Sequence, residues 1–401
     1  MFSSLKFKVI LFGFIFTFFS SFGQSYFLGL FNSSIREALS ITHGQFGSIY
    51  ASATLCSSLL LIWVGKKIDD VNIFKFAFFV TILLSFACFF FSRVTSVFLL
   101  FIAIFLMRFS GQGMMSHTAS TTISRYFTKT RGRALSISWF GLSSAEFIMP
   151  VLMVYLLTII DWQNLWLIFS ISVLIILPIV SFLLIKNLNL DSREANDENI
   201  KHVEIKQWRR RDVLKDYRFY IISSNMLAMP WIFTGFAVFQ SFVQTSKGWG
   251  PYVIAQSFMS YSIFSVLTLF LSGFLIDKFT SRKLLIYMNI PLLLSVIVLF
   301  LFDTPITAFL FLGLVGISNG FANILGSSTW AELYGVKYLG SIKALTTALM
   351  VFATAFGTAL FGYLIDIGFT VGDIAIVSGT YIFISLILLF VVRKKLNPVI
   401  I

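Results

Sequence analysis

The sequence predicts an all-α membrane protein: twelve transmembrane helices in two six-helix bundles related by a parallel repeat. Three observations carry that prediction. The chain has 401 residues, of which 58% are hydrophobic and 12% charged, a balance that a soluble surface cannot solvate. Its apolar residues gather into runs of about 20, the length that crosses a hydrocarbon core of roughly 30 Å as a helix. The stretch G-K-K-I-D-D-V-N-I-F-K at 65–75 returns as G-F-L-I-D-K-F-T-S-R-K at 273–283, so Gly65 and Asp69 reappear as Gly273 and Asp277, 208 positions later. A loop repeated at half the chain length marks a duplication. An even number of spans between the copies places both on the same side of the membrane.

The spans follow in order at 7–31, 44–64, 73–92, 97–124, 133–159, 163–186, 219–245, 252–275, 283–302, 305–330, 341–365 and 373–392. The first begins after Lys6 and Lys8 and stays apolar for about 24 residues. That is too long for the apolar region of a signal peptide, so it reads as a retained helix. Thr42-His43-Gly44-Gln45 has the form of a capping box opening span 2. Pro251 suits the first turn of span 8, where a missing N–H costs little. Small residues at helical spacing suit close helix packing; they are Gly47, Ala51, Thr54 and Ser58 in span 2, and Ala353, Ala355, Gly357 and Ala359 in span 11. R-F-S-G-Q-G at 108–113 aligns loosely with G-I-S-N-G-F at 316–321, and Gly132 pairs with Gly340 at the same offset. The one long hydrophilic stretch, 187–218, separates an N-terminal bundle, 1–186, from a C-terminal bundle, 219–401.

Net charge is +13. In a soluble chain that would suggest nucleic acid; here topology accounts for it. The N-terminus, the loops at 65–75, 125–133, 186–218, 278–283 and 337–343, and the tail at 393–395 hold 26 of the 30 Lys and Arg residues. Only Arg36, Arg93 and Lys247 fall on the opposite side, and Arg108 lies inside a span. The basic excess faces the cytoplasm, which places both termini there and suggests a bacterial inner membrane. Cys56 and Cys88 each sit inside an apolar run and read as structural. No phosphate-binding loop, metal-ligand cluster or nucleophile–base arrangement is present in the sequence. The reading is therefore a monomer that is not an enzyme and uses no cofactor, metal or nucleic acid. Its partners are the bilayer, a small-molecule substrate and a coupling proton.

Arg108 is the foremost candidate for substrate binding. It lies about eleven residues into span 4, roughly 16 Å deep at 1.5 Å per residue. A charge at that depth is costly unless paired or facing water. Glu146 in span 5 is at similar depth and is its expected partner, either as a proton-binding group answering the arginine or as half of a fixed ion pair. His117, nine residues further along span 4, has a titration range suited to relay. Polar residues at membrane depth need hydrogen-bond partners or a wet cavity. On that ground Gln24 and Tyr26 in span 1, Asn225 and Trp231 in span 7, and Asn319 and Asn323 in span 10 are candidate lining residues. Gln24 and Trp231 stand 207 apart, near-equivalent in the repeat.

Gly273, Asp277, Lys278, Arg282 and Lys283 between spans 8 and 9 resemble the signature loop of the major facilitator superfamily. The first copy keeps Gly65, Asp69 and Lys75 but has Asp70 where a base is usual. Arg108, Gly111 and Gly113 resemble the superfamily's fourth-helix motif. The resemblance covers essentially the whole chain. It implies a secondary transporter with two rocking halves around a midplane site, and it assigns Asp69, Asp277, Lys278 and Arg282 to gating. R-Y-F-T-K-T-R-G-R-A-L-S-I-S at 125–138, with Gly141 and Pro150, looks loosely like the monocarboxylate and oxalate/formate porters. Those carry a basic residue in span 8 or 11, and here only Lys343 is near. The expected substrate is a small organic anion or polar metabolite. The alternatives are a proton-driven exporter of an amphipathic compound, whose span 5 signature is incomplete after Met149-Pro150, and a non-transporting sensor.

Overall fold

The computed structural model describes residues 4–127, 130–186, 206–335 and 337–398, apart from the side chains of residues 4, 69, 131, 277 and 327. Among the described residues there is no strand. Twelve helices are long and apolar enough to cross a membrane. They are Leu5–Gly29, His43–Ile68, Ile73–Ser92, Val97–Tyr126, Gly132–Leu156 and Trp162–Ile185, then Tyr217–Val238, Val253–Ile276, Ser281–Leu301, Pro305–Tyr334, Leu339–Asp366 and Val371–Lys395. These are spans 1 to 12 below. The chain divides into two compact units, Met1–Glu198 and Asn199–Ile401.

Each unit holds six spans, and the packing scheme of one recurs in the other. In the first unit span 1 packs along span 5, span 2 along span 4 and span 3 along span 6. In the second, span 7 packs along span 11, span 8 along span 10 and span 9 along span 12. The pairings repeat with a shift of six spans, as a parallel repeat requires. The outward faces are apolar and open: Phe79, Phe86, Ile175, Ile179 and Phe270 are all exposed. In water such faces would aggregate; beside lipid chains they are solvated.

Lipid removes the hydrophobic drive between helices, so close packing and hydrogen bonds must hold them together. Both are visible. Gly141 in span 5 meets the carbonyl of Phe14 in span 1, and Gly357 in span 11 meets the carbonyl of Trp231 in span 7, each so closely that a Cβ would clash. Ser85 and Ser170 exchange hydrogen bonds between spans 3 and 6, each hydroxyl donating to the other's carbonyl at 2.9 and 2.8 Å. Trp166 is fully buried and packs against Phe91 at 4.6 Å and Phe31 at 5.1 Å between ring centroids.

The helix ends follow local chemistry. Thr42 and Gln45 form the capping box, with the Gln45 N–H donating to Thr42 Oγ1 at 3.2 Å and the Thr42 N–H to Gln45 Oε1 at 3.0 Å. Pro251 does not start span 8. It lies in the preceding turn, and the helix opens at Val253. Span 1 is not one rod either: helix runs to Ser20, tightens over Ser21–Gly23, breaks at Gln24 with φ −80° and ψ 151°, and resumes at Ser25. Most of the hydrophilic segment, 187–205, lies outside the described residues. Its remainder, from 206, packs on the second unit, where the Trp208 N–H donates to the Tyr334 carbonyl at 3.0 Å.

Candidate functional site

The break in span 1 and a widened turn in span 4 meet, and Arg108 stands where they meet. Residues Arg108–Met115 wind as a π-helix, a rare form that accommodates an extra residue and recurs at functional sites. The glycines of R-F-S-G-Q-G explain how the two irregular backbones come so close. A Cβ on Gly111 would lie 2.7 Å from the Gly23 nitrogen, and one on Gly23 would clash with the backbone of Met107 and Gln112. The corresponding span of the second unit, Pro305–Tyr334, is a continuous α-helix; its Gly316 and Gly320 press on the span 8 carbonyls of Tyr261 and Ser265 instead.

Arg108 is 3% exposed. Its Nη1 donates to the Gly23 carbonyl at 3.0 Å and to Ser25 Oγ at 3.2 Å. The break at Gln24 frees that carbonyl from helical pairing. The guanidinium also lies over the Tyr50 ring, 5.3 Å from its centroid, and the Tyr50 hydroxyl donates to Ser25 Oγ at 2.9 Å. Arg108 Nε has no partner. All its recorded partners are neutral.

The expected Arg108–Glu146 pair is not formed: no ion pair joins them among the described residues. Equal depth fixed their height and left their direction around the helix open. Glu146 is 8% exposed. Span 5 packs along span 1, and this turns the carboxylate to within electrostatic reach of Tyr26, which is 2% exposed. Gln24 is half-buried at the break itself. Span 1 thus brings Gln24, Tyr26, Arg108 and Glu146 into one region of the first unit.

His117 occupies the other end of the π segment. Its Nε2 lies 3.0 Å from the carbonyl of Gly65, where a short 3₁₀ turn, Gly65–Asp69, carries the first copy of the repeated loop. Arg125 Nη1 donates to the Ile68 carbonyl at 3.1 Å. Span 4 therefore holds this loop by its backbone. The side chains of Asp69 and Asp277 lie outside the described residues.

In the second unit the polar candidates separate into two groups. Asn319 and Asn323 line a cavity of about 230 Å³ between spans 7, 9, 10 and 11. Asn225 and Trp231 do not line it. Asn225 is fully buried; its Nδ2 donates to Ser385 Oγ at 3.4 Å and its carbonyl accepts from Asn289 Nδ2 at 2.5 Å, which ties spans 7, 9 and 12. Trp231 is 4% exposed and packs edge-on against Phe356, Phe361 and Tyr381. Its place beside Gly357 makes it a packing residue, unlike Gln24 at the span 1 break.

At the basic end of this unit, Arg282 Nε pairs with Glu332 at 3.2 Å, and its Nη1 donates to the Leu396 carbonyl at 2.8 Å. The same carboxylate accepts the Ser281 N–H at 2.9 Å, capping span 9. Lys278 is exposed, with its ammonium 5.3 Å from the Phe279 ring centroid. Asp216 binds Arg218 at 2.8 Å and accepts from the Tyr334 hydroxyl at 3.1 Å. The sequence reading passed over Tyr50, Glu332 and Asp216. Glu332 is the sole acid of span 10, which was a usable signal.

With this geometry in view, the chain was compared with known proteins. The family model of the Major Facilitator Superfamily matches residues 13–358. The chain belongs to that superfamily. Major facilitator folds also surround it among solved structures. A bacterial homologue of the human lysosomal transporter Spinster, inward-facing and unoccupied, superposes with a TM-score of 0.75 at 14% identity, over 99% of this chain and 98% of that one. The nucleoside transporter NupG superposes with a TM-score of 0.70 at 16% identity, over 98% of this chain and 99% of that one. No curated protein sequence matches significantly. The molecule is a multi-pass membrane transporter of the major facilitator fold, and not an enzyme. Its partners are a small-molecule substrate and membrane lipid.

Proposed function

We propose that this facilitator is a secondary active transporter that moves a small organic anion or similar polar metabolite by alternating access, coupled to protons. Arg108 supplies the counter-charge and Glu146 the proton site. The observation that carries the reading is that the two buried charges of the first unit are not spent on each other. An arginine with only neutral partners leaves a positive charge in low dielectric, and an anionic group relieves that cost. A buried carboxylate with no cationic partner relieves its own by taking a proton. Gln24 and Tyr26 stand beside them as polar lining, and His117 positions the repeated loop through its contact with Gly65.

The distribution of Lys and Arg supports a bacterial inner membrane with both termini cytoplasmic. The reading keeps the 187–218 segment as a cytoplasmic linker, assigns Asp69, Asp277, Lys278 and Arg282 to gating, and treats the working unit as a monomer. A second reading, export of an amphipathic compound, is favoured by one observation: the cavity of the second unit is lined by Met226, Met288, Met350 and Phe233.

The test is uptake into proteoliposomes under an imposed pH gradient, screened over organic anions. Arg108→Gln should abolish uptake of the identified anion, and Glu146→Gln should leave exchange intact while removing the response to the gradient. Wild-type anion uptake by Arg108→Gln would sink the counter-charge reading. Concentration only of uncharged amphipathic compounds, driven by the gradient, would favour the exporter.

A further inference from the structure

The cavity in the second unit is chemically unlike the Arg108 region. It encloses about 230 Å³, the share of roughly eight waters in liquid. Among the described residues no charged side chain lines it. A charged group entering it would lose hydration with no counter-charge to meet. Its walls are methionine thioethers and two aromatic rings, Phe233 and Trp330, surfaces that suit the face and edge of a flat ring. Phe233 is held rigidly, stacked on Tyr261 at 4.8 Å with 9° between the ring planes. Trp330 is 1% exposed and stacks on Tyr334 with the same 9°.

Two polar groups of this cavity are left with unspent capacity; the Ser223 hydroxyl at its wall is sealed from it. Asn323 is exposed into the cavity, with no hydrogen bond to its carboxamide among the described residues. Asn319, one helical turn away on the same face, gives its Nδ2 to Ser265 Oγ at 2.9 Å, which leaves Oδ1 as an acceptor. The other hydroxyls are occupied: Thr346 donates to the Lys343 carbonyl and Thr354 to the Val351 carbonyl.

We infer that this cavity binds an uncharged planar ring whose edge carries both hydrogen-bond donors and acceptors, an amide-bearing or nitrogen heteroaromatic ring. Asn323 pairs with the donor–acceptor edge, Asn319 Oδ1 accepts from a further donor, and the thioethers and Phe233 cover the faces. The site rests on spans 7, 9, 10 and 11 of the second unit and is independent of the anion reading of Arg108.

The experiment is calorimetric titration of the purified chain in detergent with nicotinamide, uracil and adenine, beside nicotinate, which keeps the nicotinamide ring and replaces the amide by a carboxylate. At least one neutral ring binds saturably in the millimolar range or tighter. Nicotinate binds about tenfold weaker than nicotinamide or not at all. Asn323→Ala weakens the neutral ligand by about three- to tenfold. It removes a group without a protein partner, so the fold tolerates it. Arg108→Gln binds the neutral ring as the parent does, even if it has lost anion uptake. The inference is overturned if no neutral ring binds, if nicotinate binds as well as nicotinamide, if Asn323→Ala binds unchanged, or if Arg108→Gln abolishes neutral-ring binding.

Discussion

Arg108 donates to the carbonyl of Gly23 across 3.0 Å, joining the break in span 1 to the π turn of span 4. The bond exists because both chains depart from α-helix at the same height. A lysine there would keep the charge but lose the reach with which Nη1 meets Gly23 and Ser25 and the delocalised guanidinium that lies over Tyr50. Arg108→Lys should therefore lower transport by about tenfold or more while the protein still folds. Initial uptake rates in proteoliposomes, normalised to folded protein, measure this; near-parental rates would show that charge alone suffices.

The contact between Gly23 and Gly111 makes a steric prediction. Gly111→Ala sets a Cβ against the backbone of Gly23, where no flexible side-chain end can yield. It should destabilise by about 1–3 kcal/mol. Gly273, a glycine of the repeated loop, has nothing within 4 Å of its notional Cβ, so Gly273→Ala should be silent. Thermal unfolding in detergent compares the two; equal midpoints would contradict the close-approach account.

Glu332 performs two tasks that can be separated. Glu332→Gln keeps an acceptor for the Ser281 N–H and loses the charge opposite Arg282, whereas Glu332→Ala loses both. The ion pair is partly exposed, with side chains 20% and 26% accessible, and contributes about 0–1 kcal/mol. The cap contributes about 1 kcal/mol more. The alanine variant should unfold at a lower temperature than the glutamine variant, and salt should narrow both deficits alike while leaving the difference between the two variants unchanged.

His117 holds the Gly65 carbonyl at 3.0 Å. Glutamine places an amide N–H near the same position, and alanine does not. Transport should fall with His117→Ala and recover largely with His117→Gln. A pH-dependent step carried by the imidazole would leave the glutamine variant as impaired as the alanine variant, so rates across pH 6 to 8, about the range in which histidine titrates, decide between holding and relaying.

The spans and their pairing were legible because apolar length and a 208-residue loop repeat are one-dimensional signals. Arg108 was legible because a lone charge in an apolar run has few explanations. Its partner was not: depth can be counted along a helix, while the side on which Glu146 points depends on how span 5 sits against span 1. The polar candidates show the same boundary. Sequence marks Asn225 and Asn323 alike as carboxamides that need partners, but only the fold reveals that the Asn225 carboxamide donates to Ser385 and that the Asn323 carboxamide bonds nothing among the described residues. Gln24 stands out in span 1 as a polar residue at membrane depth, but nothing in the sequence marks Gly23 and Gln24 as the place where the helix breaks. The break and the π turn became visible together, each being the reason the other is tolerated.

The π turn also sets the azimuth of everything after it. An extra residue in a helix rotates the following segment by roughly 100° against a wheel drawn at 3.6 residues per turn. His117 and Arg125 lie beyond that point, and they are the side chains that reach Gly65 and Ile68. A span 4 rewound as uniform α-helix would swing both away from the loop while shifting Arg108 against Gly23. The arginine and the loop are therefore geared: one shaft turns both, and eight residues between them carry the tooth.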